Sequence, residues 1–267
     1  MIRVQVYDLE GNAKSKIDLP NVFETAVRPD LVKKAVLAQQ SHRLQRQGRD
    51  PMAGKRTSAI TMGTGHHLSR VPRVKGGRYP KAQQGAFAPS TVGGRTTHAP
   101  SATKRIYHKI NQKERLLSIR SAIAATSNKE LVASRGHVIE GVASVPLVVV
   151  DEVETIAKTS EARALLDKLG LLPELERVER SRKIRAGKGT SRGRRWRQGV
   201  GPLFVMSDDK AARKIFGNLP GVDVVCVERL SAEALAPGAV VGRLTVWSSS
   251  AVKRVSSLFG GVEGDVE

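Results

Sequence analysis

Apolar and polar positions alternate from Arg3 to Tyr7, the period of a half-buried strand. Leu9-Glu10-Gly11-Asn12 supplies turn chemistry, and a second short strand is predicted around Ile17. Pro29-Asp30 opens a helix through Leu31, Ala35, Val36 and Ala38 towards Leu44, with a proline and an early acid suited to a first turn. Further on, Gln112 to Ala125 reads as a helix with Leu116, Leu117, Ile119, Ala122 and Ile123 on its apolar side. Pro146 to Val150 is a short continuous apolar run, the mark of a central parallel strand. A helix over Thr159 to Leu169 follows, ended by Gly170. Leu203 to Met206, Val222 to Val227 and Leu244 to Trp247 are three more strands, with helices predicted around Asp208 to Phe216 and Ser250 to Leu258. This alternation predicts an α/β fold, a mainly parallel sheet flanked by helices in Rossmann-like layering. Cys226 falls in one of these strands as a small apolar filler.

Between about Gln45 and Thr103 the periodicity vanishes. Gly54, Gly63, Gly65, Gly76, Gly77, Gly85, Gly93 and Gly94 punctuate the stretch, with Pro51, Pro72, Pro80, Pro89 and Pro100. A structureless insertion of this length inside a domain needs disorder or a partner that is not protein. Scattered Ile60, Met62, Leu68, Val71, Val74, Tyr79 and Phe87 speak against pure disorder. Folded back once as a hairpin it would reach at most roughly 90 to 100 Å, at about 3.3 Å per residue. The expected organisation is a globular body of residues 1–45 and 104–267, with a long extended loop, 46–103, inserted after the first helix.

Charge sharpens that division. The chain of 267 residues carries 45 Lys and Arg against 25 Asp and Glu, a formal net charge of +20. From 51 to 113 there are 63 positions without an acid, 12 Lys or Arg, and four of the six histidines. A second acid-free run, Arg180 to Arg197, has nine bases in 18 residues. The other 186 residues hold 24 bases and 25 acids, so the body is electrically balanced and the surplus sits in two tracts. Solvated faces normally interleave both signs; exclusion of acid on this scale points to a polyanion. The candidate RNA contacts are Arg46, Arg49, Lys55 and Arg56 at the start of the loop, then His66, His67, Arg70, Arg73, Lys75, Arg78, Tyr79 and Lys81. Arg95, His98, Lys104 and Arg105 follow on its return. In the second segment, 180–200, they are Arg182, Lys183, Arg185, Lys188, Arg192, Arg194, Arg195, Trp196 and Arg197. Tyr79, Phe87, Tyr107 and Trp196 lie among these bases, where an aromatic can stack on an unpaired base or pack locally on the protein; both readings stand.

Other classes fit less well. No run of about 18 apolar residues exists, and the bases do not share one amphipathic helix, so no membrane partner is expected. No apolar segment follows Met1, so no secretory leader is expected, and lone Cys226 offers neither an internal disulfide nor a cysteine zinc site. Cytosol is the expected compartment. Gly48 to Thr57 imitates a phosphate-binding P-loop but has five residues between its glycines and Arg56 where the metal-binding hydroxyl belongs. Asp151-Glu152 after an apolar strand resembles an ATPase metal site, yet without a P-loop it reads as a strand exit, and Asp208-Asp209 as a helix N-terminal pair. His66-His67 lacks further ligands at metal spacing, and no Gly-x-Ser-x-Gly elbow is present. No cofactor, metal or small-molecule substrate is therefore expected. The rivals are a nucleic-acid-directed ATPase or nuclease and a free-standing RNA-binding regulator.

The stretch Met62-Gly-Thr-Gly-His-His-Leu-Ser-Arg-Val-Pro-Arg-Val-Lys-Gly-Gly-Arg78 resembles the L-four family of large-ribosomal-subunit proteins, in its archaeal and eukaryotic form. Gln84 to Pro89, Gly93-Gly94-Arg95, His98-Ala99-Pro100, Asn111 to Arg115 and Thr245-Val246-Trp247 continue the likeness over nearly the whole chain. The resemblance implies a structural, non-enzymatic constituent of the cytoplasmic ribosome. A globular domain would sit on the subunit surface and a long loop would thread through large-subunit ribosomal RNA beside neighbouring ribosomal proteins. It further implies a loop tip at the constriction of the peptide exit tunnel, near the nascent peptide. On this sequence that tip falls at Arg70 to Arg78, with Arg70, Arg73, Lys75 and Arg78 the cationic wall residues. The chain stops soon after Phe259, without the long tail of eukaryotic members, which suits the archaeal form.

Overall fold

A computed structural model of the protein describes residues 2–260. In chain order its elements are β1 (Arg3–Tyr7), β2 (Ala13–Asp18), α1 (Pro29–Ser41), α2 (Gln112–Ser127), α3 (Lys129–Ser134), β3 (Leu147–Val149), α4 (Thr159–Lys168) and α5 (Leu172–Arg180). They continue with β4 (Lys183–Ile184), β5 (Trp196–Arg197), β6 (Leu203–Met206), α6 (Lys210–Phe216), β7 (Asp223–Cys226), α7 (Ala232–Leu235), β8 (Thr245–Ser248) and α8 (Ser249–Phe259). The protein is a mixed α/β fold whose main sheet has six strands in the order β2-β1-β3-β8-β6-β7. Only the β1–β2 pair is antiparallel; every other neighbour is parallel.

The strand sequences explain their places. Val148 of β3 pairs with Val6 of β1 on one side and Trp247 of β8 on the other, and all of Leu147 to Val149 is buried, as its unbroken apolar run requires. Successive side chains point to opposite faces. Val4, Val6, Val148, Leu203, Val205 and Trp247 join one apolar cluster, with residues of α1, α2, α7 and α8. Tyr7, Leu147, Val149, Phe204, Met206 and Val246 join another, with α4, α5 and α6. Trp247 is fully buried, its ring edge-to-face with Phe23 at 5.4 Å and its indole N–H donated to Thr245 Oγ1 at 3.0 Å.

The predicted strands stand within a residue or two of where the pattern placed them. Helix α1 stops at Ser41, short of Leu44, and Gly170 follows α4 at φ +71°, where a side chain would meet the Gly141 carbonyl. Three short helices, α3, α5 and α7, had no predicted counterpart. Helix α2 is not one-sided: every residue from Ser118 to Thr126 except half-buried Arg120 is buried, and its hydroxyls find partners within the protein. Ser118 Oγ donates to Arg115 O at 2.6 Å, Thr126 Oγ1 to Ile123 O at 2.7 Å, and Ser121 Oγ accepts the Arg28 N–H at 2.6 Å.

The described residues divide into two compact units, 41–107 and the rest. The smaller unit contains no helix or strand beyond the last residue of α1, and only isolated bridges.

Candidate nucleic-acid interface

Residues 42–107 include no buried residue at all. What order they have comes from backbone pairing around glycines. Ile60 and Arg73 exchange both backbone hydrogen bonds, at 3.0 and 2.9 Å, and Arg73 also bridges Gly85. Val74 pairs with Gln83 and Gln84, Ala86 N–H reaches Pro72 O at 2.8 Å, and Arg49 N–H reaches Pro100 O at 3.1 Å. The chain thus reverses three times, at 63–70, 75–83 and 87–93, so 71–74 is a central strip between two neighbours. Gly54 lies against Gly94: a Cβ on Gly54 would be 2.4 Å from the Gly94 carbonyl carbon, and one on Gly94 would be 2.0 Å from Ala88 O. Only glycine permits that approach.

Within this unit Arg46, Arg49, Lys55, Arg56, His66, His67, Arg70, Lys75, Arg78, Tyr79, Lys81, His98, Lys104 and Arg105 are exposed. Arg73 and Arg95 are half-buried. Arg73 donates to Gln83 O at 3.0 Å, so its guanidinium props the 75–83 reversal, and Lys75 and Arg78 project from it. The aromatics have local partners while staying accessible. Tyr79 hands its hydroxyl proton to Lys75 O, Arg95 lies over the Phe87 ring at 5.9 Å, and Tyr107 lies beside His42 at 5.6 Å. Asp50 accepts from Arg56 and from the Met52 N–H, and the Arg56 bond holds its carboxyl below the usual range. The P-loop look-alike therefore has a carboxylate where a phosphate would need donors, and no helix follows it.

The second tract is a hairpin. β4 and β5 pair antiparallel, Lys183 with Arg197 and Ile184 with Trp196, and Arg185 N–H to Arg195 O at 2.7 Å closes the next rung. Arg182, Lys183, Arg185, Lys188, Arg192, Arg194, Arg195, Trp196 and Arg197 are all exposed. Arg182 lies over the Trp196 ring at 4.7 Å and Arg195 at 6.0 Å, contacts worth about 0.5–1 kcal/mol each at such exposure. Trp196 thereby holds two guanidinium groups against its ring.

The hairpin's base is fixed by a buried carboxylate that the sequence reading did not find. Glu174 of α5, with no exposed surface, accepts from Arg177 at 2.7 and 2.8 Å and from the Val138 N–H at 2.9 Å, and lies 2.6 Å from His137 Nδ1. Burial pushes its carboxyl up, but the bonds from Arg177, His137 and Val138 outweigh it and bring the pKa to about 2. Arg177 also donates to Val200 O at 3.0 Å, and Ser181 Oγ accepts the Gly199 N–H at 2.8 Å, so both ends of the hairpin are tied. Glu-x-x-Arg spacing was the only signal for this network, and the pattern is common on exposed helices.

The carboxyl ends of the parallel strands, where α/β proteins bind small ligands, are filled by the protein's own carboxylates. Glu154 accepts Ser207 N–H at 2.7 Å, Asp208 N–H at 3.2 Å and the Ser248 hydroxyl at 2.8 Å. Asp151 accepts the Ser250 N–H at 2.7 Å at the start of α8. These acids occupy the backbone donors at the end of β6 and at the N-terminus of α8 that an anionic substrate would use. Among the described residues no group of three His, Cys, Asp or Glu is placed to hold a metal ion, and no helix is long and apolar enough to cross a membrane.

Comparison with known proteins places the chain in a family. Residues 17–258 match the Ribosomal protein L4/L1 family. The chain is 45% identical over 259 residues to "Large ribosomal subunit protein uL4" of Methanosphaera stadtmanae, covering 97% of this chain and 98% of that one. It is also 45% identical over 258 residues to the protein of that name from Methanococcus vannielii, covering 97% and 100%. A third such protein, from Halobacterium salinarum, is 45% identical over 255 residues, covering 96% and 99%. The matched span contains the glycine- and arginine-rich stretch from Met62 to Arg78 that carried the resemblance in the sequence. The chain belongs to the Ribosomal protein L4/L1 family.

Proposed function

We propose that this chain is a structural constituent of the large subunit of the cytoplasmic ribosome, binds large-subunit ribosomal RNA through its two acid-free tracts, and catalyses no reaction. The observation that carries this reading is the stretch of residues 42–107, none of which is buried and which holds 13 Lys and Arg against a single acid, Asp50. A segment without a core gains too little from its own contacts to offset the conformational entropy of ordering it, so its ordering partner is outside the protein. Lys and Arg neutralise phosphates and release counterions, which supplies most of the affinity. Arginine adds bidentate contacts that lysine cannot. The names of its relatives and the filled strand ends support the same reading.

The finer assignments belong to this proposal. Residues 1–45 and 104–267 form a body with Rossmann-like layering, 46–103 an arm that extends into RNA, and 180–200 a second contact. Arg70, Lys75 and Arg78 face the exit tunnel and the nascent peptide in transit, while Arg73 holds the turn that presents them. Neighbouring large-subunit proteins complete the partners, and no membrane or small-molecule substrate takes part. The deciding test is sedimentation: the chain remains with large subunits through a moderate-salt wash. Release into the supernatant would mark a free-standing regulator, and RNA-stimulated ATP hydrolysis would mark an ATPase.

A further inference from the structure

The main sheet has two edges, and they are guarded differently. β2 carries Lys14 and Lys16, both exposed, the usual defence against strand addition. β7, at the other edge, reads Asp223-Val224-Val225-Cys226, with no lysine and no proline. Asp223 N–H donates inward to Pro202 O at 3.2 Å. By the alternation of strand geometry, the N–H and C=O of Val224 then turn to the open side.

That edge lies in a groove of about 580 Å³. Arg213, Lys214 and Asn218 of α6 and its exit line one wall, Val222 to Val225 the floor, and Ala234 of α7 the other. Val224 belongs to the apolar cluster under α6, and Val225 and Ala234 pack on the opposite cluster, so the groove wraps the strand edge between two helices. The one acid in the lining, Asp223, is held at 2.5 Å by buried Arg243, which also donates to Ala234 O at 2.8 Å and Gly201 O at 2.9 Å. Exposed Arg213 and Lys214 are left as the net charge of the rim.

We propose that this groove is a docking site for an extended, acid-bearing segment of a neighbouring protein, which adds a strand to β7. An open strand edge fits another backbone, the valines and Ala234 fit alternate aliphatic side chains, and the cationic rim fits carboxylates. RNA offers neither the alternating N–H and C=O nor the alkyl groups. The inference goes beyond the RNA-binding reading and stands without it.

The test titrates the full chain with a short synthetic peptide alternating valine and glutamate. Amide resonances of Val224 and Cys226 should shift and gain protection from exchange. Arg213→Glu with Lys214→Glu, both on the exposed face of α6, should weaken the peptide about tenfold. A valine–lysine peptide should leave β7 untouched. An undisturbed β7, equal binding of the lysine peptide, or indifference to the charge reversal would each overturn the proposal. In assembled subunits, a photo-crosslinker at position 218 should join an acidic extended protein segment; a crosslink to RNA alone would count against it. Failure of the chain to join subunits would sink the ribosomal reading, while the peptide titration would still decide this one.

Discussion

The body and residues 41–107 follow opposite rules. In the body, alternate strand residues feed two apolar clusters, and buried polar groups such as Glu174, Arg243 and Ser121 each have named partners. Many of its surface bases are answered by acids: Lys34 by Glu114, Lys158 by Glu161, Lys168 by Glu10, Arg180 by Glu176. From 42 to 107 nothing is buried, and Asp50 is the only acid. The first region contains the interactions that stabilise it; the second contains backbone turns and a large surplus of positive charge. Local hydrogen bonds and glycine contacts can select a chain path, but they do not supply the apolar burial that makes a fold stable on its own.

The hardest test of that contrast is to remove the second region. Replacing residues 55–98, which hold eight Lys and Arg, by a short glycine–serine link should leave the circular dichroism and melting of the body intact. Affinity for large-subunit ribosomal RNA should fall by roughly three orders of magnitude at moderate salt. Collapse of the body's helical signal would mean that the two regions are one folding unit.

The reverse experiment attacks the body through Glu174. Glu174→Ala leaves Arg177, His137 and the Val138 N–H without their shared acceptor, and loss of one member of a buried charged network costs about 3–5 kcal/mol. For a domain of this size that lowers the melting temperature by roughly 10 °C. Acid should act in the same place. The carboxyl titrates at about 2 in the folded protein against 4.5 for an ordinary glutamate, so its contribution is complete above about pH 4.5. It is lost as the pH falls through about 2. Wild type should therefore lose more stability than Glu174→Ala between pH 4.5 and 2; parallel acid curves would show that the network is not what holds the hairpin base.

The same contrast governs what the sequence disclosed. Strand runs such as Leu203–Met206 were legible because continuous apolar residues have few other uses, and the basic tracts because charge exclusion needs no structure to see. Glu174 and Arg243 were not legible, since a buried arginine and an exposed one are the same letter. Helix α5 was missed because its pattern, Leu172-Pro-Glu-Leu-Glu-Arg-Val-Glu-Arg180, is mostly charged and is held by two buried apolar residues, Leu175 and Val178, and the Glu174 network. The hairpin β4–β5 was missed because its strands are two residues long and fully exposed, so no alternation marks them. The three reversals within 42–107 turn at positive-φ glycines such as Gly63, Gly65, Gly76 and Gly93, and Gly54 lies on Gly94; no periodicity records either feature.

A smaller effect separates unanswered from answered charge. Arg192→Ala with Arg194→Ala removes two exposed hairpin cations; if both meet phosphate, the slope of log K against log salt should shrink by about 1.4 to 1.8. Lys158→Ala, whose ammonium faces Glu161 at 3.6 Å on the body, should leave the slope unchanged. Equal changes from both would mean that charge placement is irrelevant and only the total matters.

The smallest expected effect is also the finest probe of how the second region is built. Gly94→Ala places a methyl group 2.0 Å from Ala88 O and 2.5 Å from Thr91 Oγ1, so the backbone there must open. No buried residue depends on that contact, since none exists between 42 and 107. The melting temperature of the body should move by less than about 1 °C, because the distortion lies in a segment that contributes little to global stability. RNA affinity should drop by only a few-fold, through lost preorganisation of the arm with every cation still present. Amide exchange in 88–95 should quicken while the strands of the main sheet stay protected. A fall in melting temperature approaching that of Glu174→Ala would place Gly94 inside the cooperative unit, and the division between a self-sufficient body and a partner-dependent arm would no longer hold.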